Sequence, residues 1–148
     1  MIYIYTDGAC SGNGKESAAG GFGVVVYEDD KILEVYGEHH DGTTNNRMEM
    51  QAILWALQKY GKNNFLIPTV YSDSAYAINT FTSWKNSWKE KGWTKSDGKI
   101  PENLDLVQLY DNLENQGHDI NLVKVKGHTN VKGNILADYI AVKFAKLQ

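Results

Sequence analysis

Two aspartates stand where strand-like segments of the sequence end. Asp7 closes the alternating segment 1–7, and Asp73 closes the short apolar segment 68–73. Ligands of open α/β sheets bind at strand ends, so carboxylates at such positions are candidates for chemistry. The two aspartates therefore predict a functional site along one edge of a sheet.

Two further carboxylates fall on predicted helices. Glu49 shares a helical face with apolar residues three, four, seven and eight positions later, namely Ala52, Ile53, Ala56 and Leu57. A lone carboxylate on such a face is costly to bury unless it is paired or bound to a metal. Asp138 lies four residues after Asn134, so these two side chains share a face of the last helix.

Taken singly, each of these four residues has a structural explanation as a turn, cap or solvated helix position. Taken together, clustered carboxylates suit hard cations such as magnesium or manganese. Two such ions, roughly 4 Å apart, can activate a water and stabilise the leaving oxygen in a phosphoryl displacement. Cys10 is the single cysteine, which excludes a cysteine-based zinc site.

The elements that must position these carboxylates follow an α/β order. Strands are predicted at 1–7, 21–27, 32–38, 68–73 and 119–125. Helices are predicted from Thr44 or Asn45 to Tyr60, from Ser74 onward, from 101–103 to Asn115, and from Asn130 to Lys146. Residues 11–23 read as a glycine-rich loop. Three consecutive strands followed by alternating helix and strand predict a mixed sheet with helices on its faces.

Composition predicts one compact domain, residues 1–148, with no membrane partner. Hydrophobic residues make up 42% of the chain, yet no apolar run approaches the roughly 20 residues that span a bilayer. The first residues lack the features of a signal peptide, and one cysteine allows no internal disulfide. We therefore expect a reducing, cytoplasmic location.

The net charge of −3 argues weakly against nucleic-acid binding, but the charge is unevenly distributed. The segment 85–99 contains five lysines against Glu90 and Asp97, and tryptophans stand among them and directly before them. Lysines neutralise phosphates and aromatic rings pack on sugars or bases. A solvated helix with tryptophans in a satellite core explains this segment equally well.

Five segments together resemble the type 1 ribonuclease H family, in the family order and over nearly the whole chain. They are TDGACSGN (6–13), TTNNRMEMQAILWAL (43–57), YSDSAYAI (71–78), WKNSWKEKGW (84–93) and KVKGHTNVKGNILAD (124–138). The resemblance implies a ribonuclease H-like fold with a five-stranded mixed sheet, three strands antiparallel and two parallel. It also implies an endonuclease that hydrolyses the RNA strand of RNA–DNA hybrids, leaving 5′-phosphate and 3′-hydroxyl ends.

The same resemblance implies the site residues. Asp7, Glu49, Asp73 and Asp138 match the carboxylates that bind two Mg²⁺ ions, with Mn²⁺ as a substitute. Asp7 would be shared by both ions, Glu49 and Asp73 would serve one, and Asp138 the other. His128 matches a histidine that assists proton transfer or product release, whereas His39, His40 and His118 are expected to be ordinary surface-loop residues.

Contacts with the hybrid are implied for eight residues: Asn13, Thr44, Asn45, Ser74, Trp84, Trp88, Lys89 and Asn134. Asn13 and Asn45 match contacts to the minor groove and its 2′-hydroxyls, and Thr44 matches a contact to a DNA phosphate. Ala75 departs from the glutamine that some relatives use to touch the RNA. The segment 84–99 resembles a basic protrusion whose tryptophans line the DNA-strand channel.

Two alternatives stay open from the sequence. One is a hybrid-binding module without catalysis, which the four carboxylates and His128 disfavour. The other is a different nuclease of the same fold, which the TTNNRME segment and the basic protrusion disfavour. We expect a monomer with no obligate protein partner and without the separate N-terminal hybrid-binding domain of some relatives.

Overall fold

In the computed structural model, which describes residues 1–12, 15, 17–62, 66–126 and 131–147, a five-stranded sheet carries helices on both faces. The strands are β1 (Ile2–Ser11), β2 (Ala19–Glu28), β3 (Lys31–Asp41), β4 (Thr69–Ser72) and β5 (Asn121–Lys124). The helices are α1 (Asn45–Tyr60), α2 (Ala75–Asn79), α3 (Lys85–Glu90), α4 (Leu104–Asn115) and α5 (Lys132–Ala145), with a π-helical turn at Thr80–Trp84. The predicted α/β class and the predicted order of elements are confirmed.

The sheet is mixed, in the spatial order β3-β2-β1-β4-β5. The first three strands pair antiparallel through β1–β2 and β2–β3. The last two join in parallel, β4 beside β1 and β5 beside β4. This is the expected arrangement of three antiparallel and two parallel strands.

The two faces of the sheet bury different helices, because successive strand residues point to opposite faces. Ile4 belongs to the larger core, which includes residues of α1 and α4. Its neighbour Tyr5 packs on the other face, against the smaller cluster that contains Val25, Ala137 and Ile140. Strand β1 is thus held between α1 on one side and α5 on the other.

Two glycines let these helices lie directly on the sheet backbone. A Cβ atom at Gly8 would stand 2.5 Å from the backbone nitrogen of Glu49 in α1. A Cβ atom at Gly23 would stand 2.4 Å from the carbonyl oxygen of Ala137 in α5. Any side chain at either position would push a helix away from the strands.

The strands run further than the sequence predicted. Asp7 was expected to end β1, but β1 continues to Ser11 because β2 pairs with it as far as Ser11–Ala19. The predicted loop 11–23 is wrong from Ala19 onward for the same reason.

The prediction for three histidines was also wrong. His39 and His40 lie in β3, whose pairing with β2 extends to Asp41. His118 is buried, and its Nδ1 lies 3.0 Å from the carbonyl oxygen of Leu57. None of the helices in the described part of the chain has the length and apolar character needed to cross a membrane.

The contact at Gly23 yields a stability prediction. Gly23→Ala should lower the free energy of unfolding by about 1–3 kcal/mol, because the added methyl group must displace α5 from β2. Urea unfolding measures the loss, and amide hydrogen exchange should accelerate across α5. Gly42→Ala is the control: its φ of +61° strains an alanine, but nothing lies within 4 Å of the added Cβ. Normal exchange of α5 in Gly23→Ala would contradict this account.

Candidate metal centre

The register of the parallel pair places two aspartates side by side. Tyr5 of β1 lies opposite Tyr71 of β4. Two residues further along the chain from each tyrosine come Asp7, on the same face of β1, and Asp73, directly after β4. β4 has ended at Ser72, so Asp73 lies where the parallel pairing stops and β1 continues without this neighbour.

Glu49 reaches this position from α1. The side chain of Thr44 accepts a hydrogen bond from the Arg47 backbone N–H at 3.1 Å and so fixes where the helix begins. The Gly8 N–H donates to Glu49 Oε1 at 2.7 Å, and the Ser72 hydroxyl lies 3.5 Å from Glu49 Oε2. A carboxylate carried on a helix is thereby bound to two neighbouring strands.

Sequence reasoning did not identify Gly8 or Ser72 as site residues. The available signals were their positions, since each stands beside a candidate aspartate and each is small. Gly8 serves through its backbone, donating to Asp7 Oδ1 at 2.9 Å as well as to Glu49. Ser72 is fully buried, and its hydroxyl also accepts a hydrogen bond from the Ser74 N–H at 3.1 Å.

Three carboxylates meet at this point of the structure. One oxygen each from Asp7, Glu49 and Asp73 lies within 4.8 Å of the others. Asp7 and Glu49 are only 6% and 8% exposed. An all-oxygen donor set of this charge fits a hard divalent cation such as magnesium or manganese.

The electrostatics of the site favour an added positive charge. Burial is the main cause that raises the pKa of Asp7 to about 7, and the charge of Asp73 and a hydrogen bond to Asp138 act in the same direction. Hydrogen bonds from Glu49 and from the Gly8 N–H oppose this rise. Burial also raises the pKa of Glu49 well above its ordinary value, followed by its hydrogen bond with Asp7 and the charges of Asp7 and Asp73. A proton or a cation would relieve both the cost of burying these charges and their mutual repulsion.

Asp138 approaches the group from the opposite face of the sheet. It is exposed on α5, and its side chain is close enough to Asp7 to help raise the pKa of that carboxyl. It lies outside the three-carboxylate group. Asn134, one helical turn earlier, is buried. The structure therefore brings all four sequence-predicted carboxylates into one region, three of them as a tight group.

Other predicted contact residues begin helices beside this group. Thr44 caps α1, and exposed Asn45 is the first residue of that helix. Ser74 caps α2, and its hydroxyl accepts from the Ala77 N–H at 3.0 Å. Asn13 and His128 lie outside the described residues, so their assignments stay predictions.

The tryptophans of the basic segment form an aromatic wall. Trp84 is 40% exposed, while Trp88 is half-buried against the larger core. Their ring centroids are 6.1 Å apart, and Tyr76 lies 6.0 Å from Trp84. These three rings line a cavity of about 360 Å³ together with residues that include Lys95.

Two lysines of the same segment are engaged within the protein. Lys85 is 3% exposed, and its Nζ lies 2.7 Å from Glu114 Oε1 and 3.6 Å from Asp111 Oδ1. Lys89 Nζ lies 2.9 Å from Asp111 Oδ2 but remains 45% exposed. The expectation that Lys85 is solvated or contacts phosphate is wrong, because burial and two carboxylates enclose its charge.

Comparisons with known proteins show which family this chain resembles over its length. A family model described as RNase H matches residues 1–146. Ribonuclease H of Cyanothece sp. is 43% identical over 142 residues, covering 96% of this chain and 87% of that protein. Ribonuclease HI of Rickettsia conorii is 42% identical over 143 residues, covering 96% of this chain and 89% of that protein. The crystal structure of LC9-RNase H1, a type 1 RNase H with the type 2 active-site motif, matches with a TM-score of 0.79 and 30% identity, over 97% of this chain and 71% of that one.

The raised pKa of Asp7 predicts how the stability of the metal-free protein depends on pH. The unfolded chain loses this proton near pH 3.8 and the folded chain near 7, so folding becomes less favourable as pH rises between these values. Asp7→Asn should therefore stabilise the metal-free protein at pH 8 by about 1–3 kcal/mol, with no gain near pH 4. Urea unfolding in EDTA across this range tests the effect. A gain independent of pH would show that the buried charge of Asp7 is not its source.

Proposed function

Since the chain belongs to the ribonuclease H family, we propose that it is an endonuclease that hydrolyses the RNA strand of RNA–DNA hybrids, leaving 5′-phosphate and 3′-hydroxyl ends. The observation that carries this proposal is the group formed by Asp7, Glu49 and Asp73, whose oxygens lie within 4.8 Å of one another. Phosphodiester hydrolysis brings an activated water to a phosphate that is already negatively charged. The further negative charge that develops on the phosphate oxygens must be neutralised. Carboxylates that gather cations at a strand edge meet that requirement.

The residues proposed to hold two Mg²⁺ ions, or Mn²⁺ in their place, are Asp7, Glu49, Asp73 and Asp138. When bound, such ions acidify a water molecule and neutralise the charge that develops on the phosphate oxygens. Asp7 would serve both ions, Glu49 and Asp73 one, and Asp138 the other. The position of Asp7 between Glu49 and Asp138, both of which affect its pKa, supports its shared role.

The chain's own contribution is to keep these carboxylates oriented. Glu49 is held by the Gly8 N–H and stands beside the Ser72 hydroxyl, so its oxygens are already directed into the site. Binding a cation then requires little reorganisation of this side chain. Asp138 is exposed at the edge of the site, which suits a ligand that must also admit substrate and water.

Substrate contacts are proposed for the helix starts beside the carboxylates. A hydroxyl that accepts one hydrogen bond can still donate its own hydrogen. Thr44, which accepts from Arg47, could therefore donate to a DNA phosphate, and Ser74 could donate to the RNA strand. Asn45 and Asn13 would read the minor groove, and Asn134 would hold the scissile region from α5.

The aromatic wall is proposed to contact the DNA strand. Trp84 and Trp88 offer ring surface at the mouth of the cavity, and the exposed half of Lys89 could meet a phosphate in addition to Asp111. RNA is distinguished from DNA by 2′-hydroxyls in a wide minor groove, and a DNA strand is held by its phosphates and its ability to deform. A hybrid satisfies both requirements, so we propose little sequence preference.

We also propose that the enzyme acts as a monomer in the reducing cytoplasm. The support is the sequence itself, in which Cys10 is the single cysteine and an internal disulfide is therefore impossible.

A cleavage assay tests the proposed activity. Hybrid, RNA duplex and DNA duplex of one sequence should be offered with magnesium and with EDTA. We expect cleavage of the RNA strand of the hybrid alone, and only with magnesium, because only the hybrid supplies both strand types. Equal cleavage of the DNA duplex would favour another nuclease of this fold, and binding without cleavage would favour a non-catalytic module.

Removal of one central charge tests the metal assignment. Asp7→Asn should abolish cleavage, because it weakens the binding of both ions. Asp30→Asn, which removes an exposed carboxylate in the turn between β2 and β3, is the matched control and should cleave normally. Isothermal titration with Mn²⁺ should show loss of binding in Asp7→Asn alone. Normal turnover of Asp7→Asn in saturating magnesium would refute the assignment.

His128 is proposed to assist proton transfer or product release. An unperturbed imidazole titrates near pH 6.5 and can exchange protons at neutral pH. His128→Ala should slow turnover by about 10- to 100-fold, which is less than the loss expected at a metal-binding carboxylate. Single-turnover and steady-state kinetics would locate the slow step. Loss of metal binding in His128→Ala would show that the histidine is a ligand instead.

A further inference from the structure

Lys85 is a buried lysine for which the proposed reaction has no use. Its side chain is 4% exposed at the first position of α3. A buried ammonium group is unfavourable unless carboxylates compensate it, and here Glu114 lies at 2.7 Å and Asp111 at 3.6 Å. Both acids belong to α4, so the ion pairs join two helices.

The position of Lys85 follows from helical spacing. Phe81, Lys85 and Trp88 are separated by four and three residues, so they share one face. Phe81 stacks on Tyr110 of α4 with ring centroids 4.3 Å apart, and the Lys85 Nζ lies 5.9 Å from the same tyrosine ring. The face that carries Lys85 is therefore the face that packs toward α4.

A second lysine, one helical turn later, also forms an ion pair with α4. Lys89 Nζ lies 2.9 Å from Asp111 Oδ2, so the buried carboxylate of Asp111 stands between the two lysines. α3 has only six residues and continues directly from the π-helical turn, where the regular hydrogen-bond pattern of the helix is interrupted. Two charged contacts to α4, four residues apart, oppose rotation and sliding of this last part of the helical segment.

The tryptophans of the aromatic wall are attached at the same place. Trp84 directly precedes Lys85, and Trp88 directly precedes Lys89. Any rotation of α3 would therefore change how the two indole rings, 6.1 Å apart and inclined by 41°, face the cavity.

We propose that Lys85 is a positioning residue: through Asp111 and Glu114 it fixes α3 on α4, so that Trp84 and Trp88 are held in the orientation that contacts the DNA strand of the hybrid. This inference rests on the proposed function for the identity of the ligand. It assigns Lys85 a role in affinity without a contact to the substrate.

The test replaces Lys85 with methionine, which has similar length and no charge. Hybrid affinity is measured by anisotropy in calcium across a salt series, and kcat and KM are measured in magnesium. Lys85→Met should raise Kd and KM about tenfold, with kcat changed by less than about twofold. The slope of log Kd against log salt should equal that of the unmodified protein, because no phosphate contact is lost.

A substrate-free readout follows the indoles themselves. The far-ultraviolet circular dichroism of two close indoles depends on their mutual angle, and Trp84→Phe identifies the band that this pair contributes. Lys85→Met should weaken that band at a temperature at which the variant is fully folded. Two matched controls carry the same substitution at exposed lysines: Lys91→Met at the end of α3 and Lys62→Met just after α1. Both should leave the band unchanged.

A double variant keeps the test valid if Lys85→Met folds poorly. Lys85→Met with Glu114→Gln removes one charge of each sign, and neutral replacement of a buried ion pair is usually tolerated. The double variant should show the same rise in Kd and the same weakened band.

Two outcomes would overturn the inference. Unchanged affinity together with a lowered melting temperature would mean that Lys85 only stabilises the fold. A salt slope reduced by about 0.9 with an unchanged indole band would mean that Lys85 reaches a phosphate directly. Failure of the proposed function is recognised separately, because the unmodified protein would then give no binding curve with the hybrid.

Discussion

Like charges repel, and a site that binds cations must nevertheless hold several carboxylates together before any cation arrives. Here Asp7 and Glu49 are both buried, and one oxygen of each lies within 4.8 Å of the other and of an oxygen of Asp73. The cost of this arrangement is visible in the raised pKa of Asp7. The rest of the fold supplies the rigidity that keeps these groups from separating.

That rigidity comes from strand β1, which is paired on both sides and covered on both faces. Gly8 admits α1 from one face and Gly23 of the adjacent strand admits α5 from the other. Glu49 and Asp138 therefore arrive on separate helices, whereas Asp7 and Asp73 arrive on neighbouring strands. No two of the four carboxylates come from the same element, so the packing of strands and helices sets their spacing.

The sequence predicted the elements well, because hydrophobic periodicity is a local signal, and the four carboxylates that it singled out lie in one region of the fold. The sequence-based prediction failed where contacts between distant residues determine the structure. β1 continues beyond Asp7 because β2 pairs with it there, and His118 is buried because it packs beside the end of α1. Lys85 illustrates a different failure. Its charge predicted a side chain exposed to solvent, although its spacing from Phe81 and Trp88 already placed it on an apolar face of the helix.

The π-helical turn Thr80–Trp84 has a consequence for how this protein can vary in length. A π-helical turn holds about one residue more than an α-helical turn, because its hydrogen bonds join residues five apart instead of four. Losing one residue here could therefore leave an α-helical turn, with Lys85 and the indoles still facing as they do now. Losing a residue between Lys85 and Lys89 would instead rotate Trp88 and Lys89 by about 100° about the helix axis. Within this helix, the π-helical turn is thus the place where a change in residue count disturbs the rest least.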